Sequence, residues 1–313
     1  MKTIEGDIPE ISVIIPFYNE VAALPSVINR ILPVLEGMSR LYEIIVVDDG
    51  SEDGTKDIPF PDGVRVITHP YNMGNGAAVK DGIRQARGRF LVMMDGDGQH
   101  QPEDIPLLIA QLSTFDMVVG ARTPASKASL HRNLANGIYN LFASYMCGRR
   151  IEDLTSGFRA VKRDIARRFL YLLPNGFSYP ATITLAVVRS GYSLAYVPIM
   201  SGRRIGKSKI RLLRDGTRFL LIILRIATLF SPLKIFLPVS ALMFSLGLGY
   251  GIFRIVSMDG RYGPTSAMLM TMAVVVFMVG LVSEQVAQLR FERSEEIESD
   301  PCHEHQVPGE HQR

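Results

Sequence analysis

Asp95 and Asp97 stand two residues apart around Gly96, directly after the apolar run Arg89–Met94. Two carboxylates at that spacing on a strand end can aim at one divalent cation, and hard oxygen donors suit Mg²⁺ or Mn²⁺, which bridge to phosphate oxygens. The same spacing occurs in ordinary turns, so its place at a strand end gives it weight. Gln99 and His100 follow and offer a further ligand or a supporting contact. Asp48 and Asp49 end a second apolar run, Glu43–Val47. Carboxylates there can accept hydrogen bonds from a base or a ribose hydroxyl, or else start an Asx turn. Pro16-Phe17-Tyr18-Asn19-Glu20 sets an aromatic face beside a carboxylate. That suits a nucleotide base and its polar edge, with a helix start capped by Asn19 as the alternative. The loop Asn72–Lys80 carries Gly74 and Gly76 into a helix. Such a loop lets phosphate approach backbone N–H groups, although it is neither a P-loop nor a dinucleotide fingerprint.

These clusters need a frame, and the first 120 residues supply one. Short β-branched runs (Ile11–Ile15, Glu43–Val47, Val64–Ile67, Arg89–Met94, Met117–Val119) alternate with helical patterns. Leu24, Val27, Ile28, Ile31 and Leu35 form the first, Asn75–Ala86 and Glu103–Leu112 the others. Alternation with continuous apolar strands predicts an α/β domain with a mostly parallel sheet flanked by helices. Ligands in such sheets sit beyond the carboxyl ends of the strands, where the polar clusters fall.

The C-terminal third differs. Ile235–Phe253 is a run of 19 residues without a charge and Tyr262–Ser283 one of 22. Each can cross a hydrocarbon core of about 30 Å. Eight cations between Arg203 and Arg225 are opposed by Asp215 alone, in a chain whose formal charge is +3. Positive charge beside a span marks the cytoplasmic side. The expected organisation is a cytoplasmic catalytic domain over 1–205 and a basic amphipathic juxtamembrane region over 206–230. Two transmembrane helices follow within 231–288 (about 233–254 and 263–286), then an acidic disordered tail over 289–313, read as disordered from Ser294. The mean hydropathy of +0.15 averages these regions. No signal peptide is visible, so the N-terminal end is expected in the cytoplasm. Cys147 and Cys302, the only cysteines, exclude a disulfide scaffold. No nucleic-acid motif appears. Gly247 and Gly251 have the spacing of a helix contact through which copies could assemble.

The ordered motifs resemble the family 2 glycosyltransferases of the GT-A fold. They are Ser12-Val-Ile-Ile-Pro16-x-Tyr18-Asn-Glu20, Val47-Asp-Asp-Gly-Ser51, Asn72-x-Gly-x-Gly-x-Ala78 and Asp95-x-Asp97-x-Gln-His100. Gly120-Ala-Arg122, Asp153-Leu-Thr-Ser-Gly-Phe-Arg159 and Arg203-x-x-Gly206-x-Ser208-Lys209 look like the dolichol-phosphate mannosyltransferase and bacterial polyprenyl-phosphate glycosyltransferase branch. The resemblance covers roughly residues 10 to 290. It implies an inverting, metal-dependent hexosyltransferase of the inner membrane, multi-pass, with its catalytic domain cytoplasmic. The donor would be a nucleotide-diphosphate sugar, GDP-mannose or a UDP-hexose. The acceptor would be dolichyl or undecaprenyl phosphate. By resemblance, Pro16, Tyr18, Glu20 and Asp48 surround base and ribose, and Asp49, Lys80, Asp95 and Gly96 complete the nucleotide site. Asp95, Asp97 and Gln99 hold Mg²⁺ or Mn²⁺. Arg122, Arg132 and Arg203 gather the acceptor phosphate, and Lys209 lies at the phosphate-rich centre. Asp97, Arg122, Arg203 and Lys209 form the catalytic set. Glu152 and Asp153 are possible bases, as in family members acting on sugar hydroxyls, with a structural or loop-holding role the favoured expectation for Asp153. Arg203–Lys209 is expected to close over the substrates. A transferase acting on a non-phosphate lipid is the alternative. A processive polysaccharide synthase would carry a Gln-x-x-Arg-Trp motif, and this chain has no Trp.

Overall fold

A computed structural model describes residues 8–123, 130–176, 178–202, 228, 231–257 and 263–299, the side chains of 130–135 and 290–299 excepted. The chain divides into two compact units, Met1–Ile223 and Leu224–Arg313.

The first unit is built on one seven-stranded sheet. Its strands are β1 (Ile11–Phe17), β2 (Tyr42–Asp48), β3 (Val64–Thr68), β4 (Phe90–Met93), β5 (Met117–Arg122), β6 (Arg159–Lys162) and β7 (Leu194–Ile199), in the spatial order β3-β2-β1-β4-β6-β5-β7. All pairings are parallel except those of β6, which runs antiparallel between β4 and β5 and sets Arg159 opposite Met93 and Val119. The predicted strands and helices of the first 120 residues are present. β1, β2 and β4 are buried along their whole lengths, which is why they read as unbroken apolar runs.

Helices cover both faces. Ile11, Val13 and Ile15 of β1 pack with the apolar stripes of α1 (Leu24–Gly37) and α3 (Ile105–Gln111) in one core. Ile14 points to the other face, where α2 (Asn75–Gln85) approaches closely: a Cβ on Gly82 would stand 2.3 Å from the Ile14 Cγ2. That second face also carries α5 (Arg163–Arg168) and α6 (Tyr179–Arg189), and α4 (Leu130–Cys147) packs on α6. Away from the site, buried Glu43 binds the Ser12 hydroxyl at 2.6 Å, the Arg87 backbone N–H at 2.7 Å and Arg65 at 3.1 Å.

The second unit is a helical hairpin of α7 (Leu233–Ser257) and α8 (Pro264–Ser299). Leu233–Ser257 and Pro264–Leu289 are long and apolar enough to cross a membrane. The seam between them is made of small residues. α7 buries Ser240, Gly247 and Gly251; α8 buries Ser266, Ala273, Gly280 and Ala287 at strict seven-residue spacing. Small side chains let two backbones close up on each other. A Cβ on Gly247 would lie 3.0 Å from the Leu269 Cβ, and one on Gly280 2.6 Å from the Phe236 Cβ. This revises the assembly expectation, because the Gly247/Gly251 face is spent inside the hairpin. Glu284 accepts the Leu233 N–H at 3.1 Å, placing a carboxylate at the amino end of α7, where the helix dipole favours an anion. The tail expectation is corrected as well. The helix continues from Ser294 to Ser299, because Arg and Glu are good helix formers and no breaker precedes Asp300-Pro301. The juxtamembrane region, residue 228 apart, and the Arg203–Lys209 segment lie outside the described residues.

Candidate active site

The loops after β1, β2, β4 and β5 and the approach to β6 share the carboxyl edge of the sheet. Asp48 ends β2 almost fully buried; its Oδ1 accepts the Ser51 N–H at 2.9 Å. Its Oδ2 is buried with no partner among the described residues. A buried carboxylate oxygen without a donor is costly, so this atom calls for a hydroxyl or imide from a ligand. Asn19, at φ +57°, ties the neighbouring loop to this one: its N–H donates to the Ser51 Oγ at 3.0 Å and its Oδ1 accepts the Glu52 N–H at 2.9 Å. Gly50 between them adopts φ +75°, where a side chain would also strike the Tyr71 carbonyl carbon at 2.5 Å. Pro16 pairs with Val47 within the sheet, and Tyr18 and Glu20 follow it half-buried.

Three features expected at the nucleotide site are engaged by other groups of the protein. Asp49 faces away from Asp48 and is fully engaged: Oδ1 accepts the Met73 N–H at 2.8 Å and Oδ2 the Gly74 N–H at 2.9 Å. Oδ1 also meets the His69 Nδ1 at 2.9 Å, while the His69 Nε2 meets the Asp81 Oδ2 at 3.0 Å. Asp49 is therefore a brace for the glycine loop. That loop is met by another backbone. The Ala77 N–H at the amino end of α2 donates to the Asn175 carbonyl at 3.0 Å. A Cβ on Gly74 would lie 2.4 Å from the Asn175 oxygen, and one on Gly76 2.1 Å from the Pro174 oxygen. The glycines admit another backbone, the Pro174–Gly176 turn. Lys80 belongs to the same joint, its ammonium bonded to the Asn175 Oδ1. Burial, then the nearby Arg84, holds its pKa below the ordinary lysine value against the pull of Asp81.

The Asp95–Asp97 turn follows β4. Its Gly96 N–H donates to the Pro16 carbonyl at 3.3 Å, locking it against β1. Asp97 Oδ1 accepts the Gln99 N–H at 3.1 Å. His100 lies beneath, stacked on Phe158 with centroids 5.3 Å apart. Burial drives its pKa down to about 4, so the ring is neutral and its Nδ1 accepts the Asp95 N–H at 3.3 Å. His100 thus supports the turn. The Asp95 carboxylate rests directly on Gly157. The Gln99 carbonyl accepts the Gly202 N–H at 2.8 Å, so the chain enters the Arg203 motif beside this turn.

On the other flank, Arg122 ends β5 in a two-pronged ion pair with Asp153: Nε to Oδ2 at 2.8 Å and Nη2 to Oδ1 at 2.8 Å. Nη2 also reaches the Thr155 Oγ1 at 2.6 Å, which among the described residues leaves Nη1 as the remaining edge. Burial alone would pull the guanidinium down, but Asp153 outweighs it and the pKa of Arg122 stands above its ordinary value. Burial likewise works to raise Asp153, yet Arg122 and the N–H groups of Arg122 and Thr155 hold it below the usual range. Asp153 Oδ1 also accepts the Thr155 N–H at 3.2 Å and the Ser156 N–H at 3.1 Å, so it ties Arg122 to the loop that follows it. Arg159, unassigned from sequence, is fully buried below; it donates to the Pro180 carbonyl at 2.7 Å, to the Thr184 Oγ1 at 3.1 Å and to the Ser156 carbonyl. It adds a buried positive charge near Asp95 and Asp153. Arg132 lies on α4 with its side chain outside the described residues, and Arg203 and Lys209 lie outside them altogether.

A family model described as glycosyl transferase family 2 matches residues 12–170, and one described as the GtrB C-terminal hairpin matches residues 231–289. Undecaprenyl-phosphate mannosyltransferase of Micrococcus luteus is 32% identical over 212 residues, 63% of this chain and 86% of that protein. Undecaprenyl-phosphate 4-deoxy-4-formamido-L-arabinose transferase of Photorhabdus laumondii is 32% identical over 52% of this chain. The chain spans about half of that relative, 52% of its length. Glucosyl-3-phosphoglycerate synthase of Mycobacterium tuberculosis, in a complex with Mn²⁺, uridine diphosphate and phosphoglyceric acid, superposes with a TM-score of 0.57 at 21% identity. The superposition covers 70% of this chain and 78% of that one. At that identity the likeness speaks for the fold, which is of the GT-A type.

Proposed function

The chain belongs to glycosyl transferase family 2, and from that premise we propose that it moves a hexosyl group from a nucleotide-diphosphate sugar to a polyprenyl phosphate, with inversion, at the cytoplasmic face of the inner membrane. The observation that carries the acceptor class is the match to an undecaprenyl-phosphate mannosyltransferase over 86% of that protein. The match to a GtrB-type hairpin supports a multi-pass membrane enzyme.

The site divides the labour by charge. The orphaned Asp48 Oδ2 takes a hydroxyl or imide of the nucleoside, beside Pro16, Tyr18 and Glu20. Among the described residues no three His, Cys, Asp or Glu side chains gather as a metal cage. Asp95 and Asp97, with Gln99, fit an ion that keeps most of its shell for water and diphosphate, as Mg²⁺ and Mn²⁺ do. Such an ion, when bound, supplies charge neutralisation for the departing nucleoside diphosphate. The acceptor phosphate is already anionic, so its oxygen can attack the anomeric carbon without a strong base while the bond to the diphosphate breaks. Arg122, held by Asp153, presents its free edge to that phosphate, joined by Arg132, Arg203 and Lys209. Asp49, Lys80 and His100 hold the loops.

The decisive experiment offers a panel of nucleotide sugars with polyprenyl phosphate and, in parallel, polyprenol, scored by lipid product mass. Product from the phosphate alone is expected. Equal transfer to the alcohol refutes the acceptor assignment.

A further inference from the structure

His69 is a buried titratable group that the proposed reaction does not use. It directly follows β3, and its ring, 5% exposed, is wedged between the end of β2 and α2. Its Nδ1 lies 2.9 Å from the Asp49 Oδ1 and its Nε2 3.0 Å from the Asp81 Oδ2. A neutral imidazole has one N–H and one lone pair, so it can bridge a donor and an acceptor. Here the ring meets acceptors on both sides. Asp49 spends both oxygens as acceptors, Oδ1 for the Met73 N–H and Oδ2 for the Gly74 N–H. The Asp81 Oδ1 accepts from the Arg84 guanidinium. Both ring nitrogens must therefore donate, which takes the doubly protonated imidazolium. The charged groups that face it are Asp49 from the end of β2 and Asp81 from α2. Arg84 stands beyond Asp81, and Lys80 is turned to the Asn175 Oδ1. Two carboxylates thus meet two cations, His69 and Arg84.

We propose that His69 is a charged strut that positions the nucleotide site: its two N–H groups hold Asp49 against α2 and, through Asp49, set the aim of Asp48. The chain around these two aspartates is pinned from both sides. The Asp49 N–H donates to the Phe17 carbonyl at 2.9 Å, and the His69 N–H donates to the Asp48 carbonyl at 2.8 Å. Neighbouring side chains at a strand end point in opposite directions. Fixing Asp49 on the side of α2 therefore turns Asp48 to the other side, where its Oδ2 is buried with no partner among the described residues. The same strut fixes the start of the glycine loop, because the Met73 and Gly74 N–H groups end on Asp49. His69 touches no substrate in this scheme. It acts through the aspartates, and the inference rests on the donor class proposed above.

The test uses the full-length protein in nanodiscs, with its six histidines labelled for nitrogen NMR. His69→Gln identifies the His69 ring signals by their disappearance. At neutral pH both ring nitrogens of His69 should show the protonated, imidazolium shift. Asp81→Ala leaves Nε2 no carboxylate to meet, and that signature should be lost. A neutral ring in the wild type overturns the charged strut. Binding of UDP and of GDP, each with Mn²⁺, then reads the positioning. His69→Gln should bind the preferred nucleotide about tenfold more weakly, the order set by one lost charged hydrogen bond. Its donor KM should rise while kcat at saturating donor changes little. Asp81→Ala, altered at a half-buried side chain of α2, should weaken binding in the same direction and carries the test should His69→Gln fail to fold. Arg84→Ala leaves the ring both of its acceptors and should change neither readout. Wild-type affinity in both variants, when the wild type itself binds a nucleotide, overturns the positioning role alone. If the wild type binds neither nucleotide, the donor class proposed above fails, and the positioning role with it.

Discussion

The Asp95 carboxylate lies against the backbone of Gly157: a Cβ at position 157 would stand 2.3 Å from the Asp95 Oδ2 and 2.9 Å from its carboxyl carbon. The approach to β6 is thus shaped around the first carboxylate of the metal-type turn. Gly157→Ala must move that carboxylate or the loop. Misplacement of about 1 Å at a catalytic group costs on the order of 10²-fold in rate. We expect a rate loss of that order, with a higher Mn²⁺ requirement and little change in Tm. Kinetics over a metal titration will show it; a wild-type rate would mean that Asp95 has no positional demand.

Asp153 and Arg122 make a second prediction. Their side chains are 7% and 18% exposed, so removing one charge leaves the other in a poorly hydrated site. Breaking such a pair costs about 3–5 kcal/mol. Asp153→Asn is expected to lower stability and to raise KM for the acceptor, because Arg122 loses its orientation. It should leave the shape of the pH–rate profile unchanged. Loss of the acid limb in the variant would identify Asp153 as the base and overturn the bracing role.

The frame was legible where physics is local. β1, β2 and β4 are buried on both faces and read as β-branched runs. β6 and β7 were not, for reasons their residues show. β6 opens on Arg159, a fully buried arginine whose Nη1 and Nη2 donate to α6 and to the Ser156 carbonyl, and β7 contains Pro198, tolerated because β7 is an edge strand. In the site, the acid turn was readable from its place after β4. The Asp48–Asp49 pair was not separable, since adjacent residues at a strand end point in opposite directions. Glycines 74 and 76 announce a close backbone approach without saying what approaches, a phosphate or the Asn175 carbonyl. His69 carried no signal, because its two carboxylate partners meet only in three dimensions.

Glu43 supplies a pH prediction remote from the site. Burial would raise its pKa, but Ser12, the Arg87 N–H and the charges of Arg87 and Arg65 hold it below the ordinary 4.5. A depressed carboxylate contributes stability that is complete above the unfolded value and lost as pH falls through the folded one. Glu43→Gln should cost about 1–3 kcal/mol at neutral pH. Thermal melts should show the gap from wild type narrowing once pH drops below 4.5. A gap that is constant with pH would remove the carboxylate charge from the explanation.

The last prediction separates the two uses of the glycine loop. If Gly76 admits the Pro174–Gly176 turn, a methyl group there meets the Pro174 oxygen at 2.1 Å and the Gly176 oxygen at 2.7 Å. Both are backbone atoms, which yield only if the turn shifts. Overpacking of this kind costs about 1–3 kcal/mol. Each kcal/mol lowers Tm by about 2–4 °C in a domain of this size. Gly76→Ala should therefore melt earlier and lose the Lys80–Asn175 contact, with donor KM changed less than stability. Asn175→Ala, which removes that contact while leaving the Asn175 carbonyl in place, should be milder. Were the loop a phosphate cradle, the order would invert, with donor KM rising sharply in Gly76→Ala at an unchanged Tm. Melts and donor kinetics on the same two variants decide between a joint and a cradle.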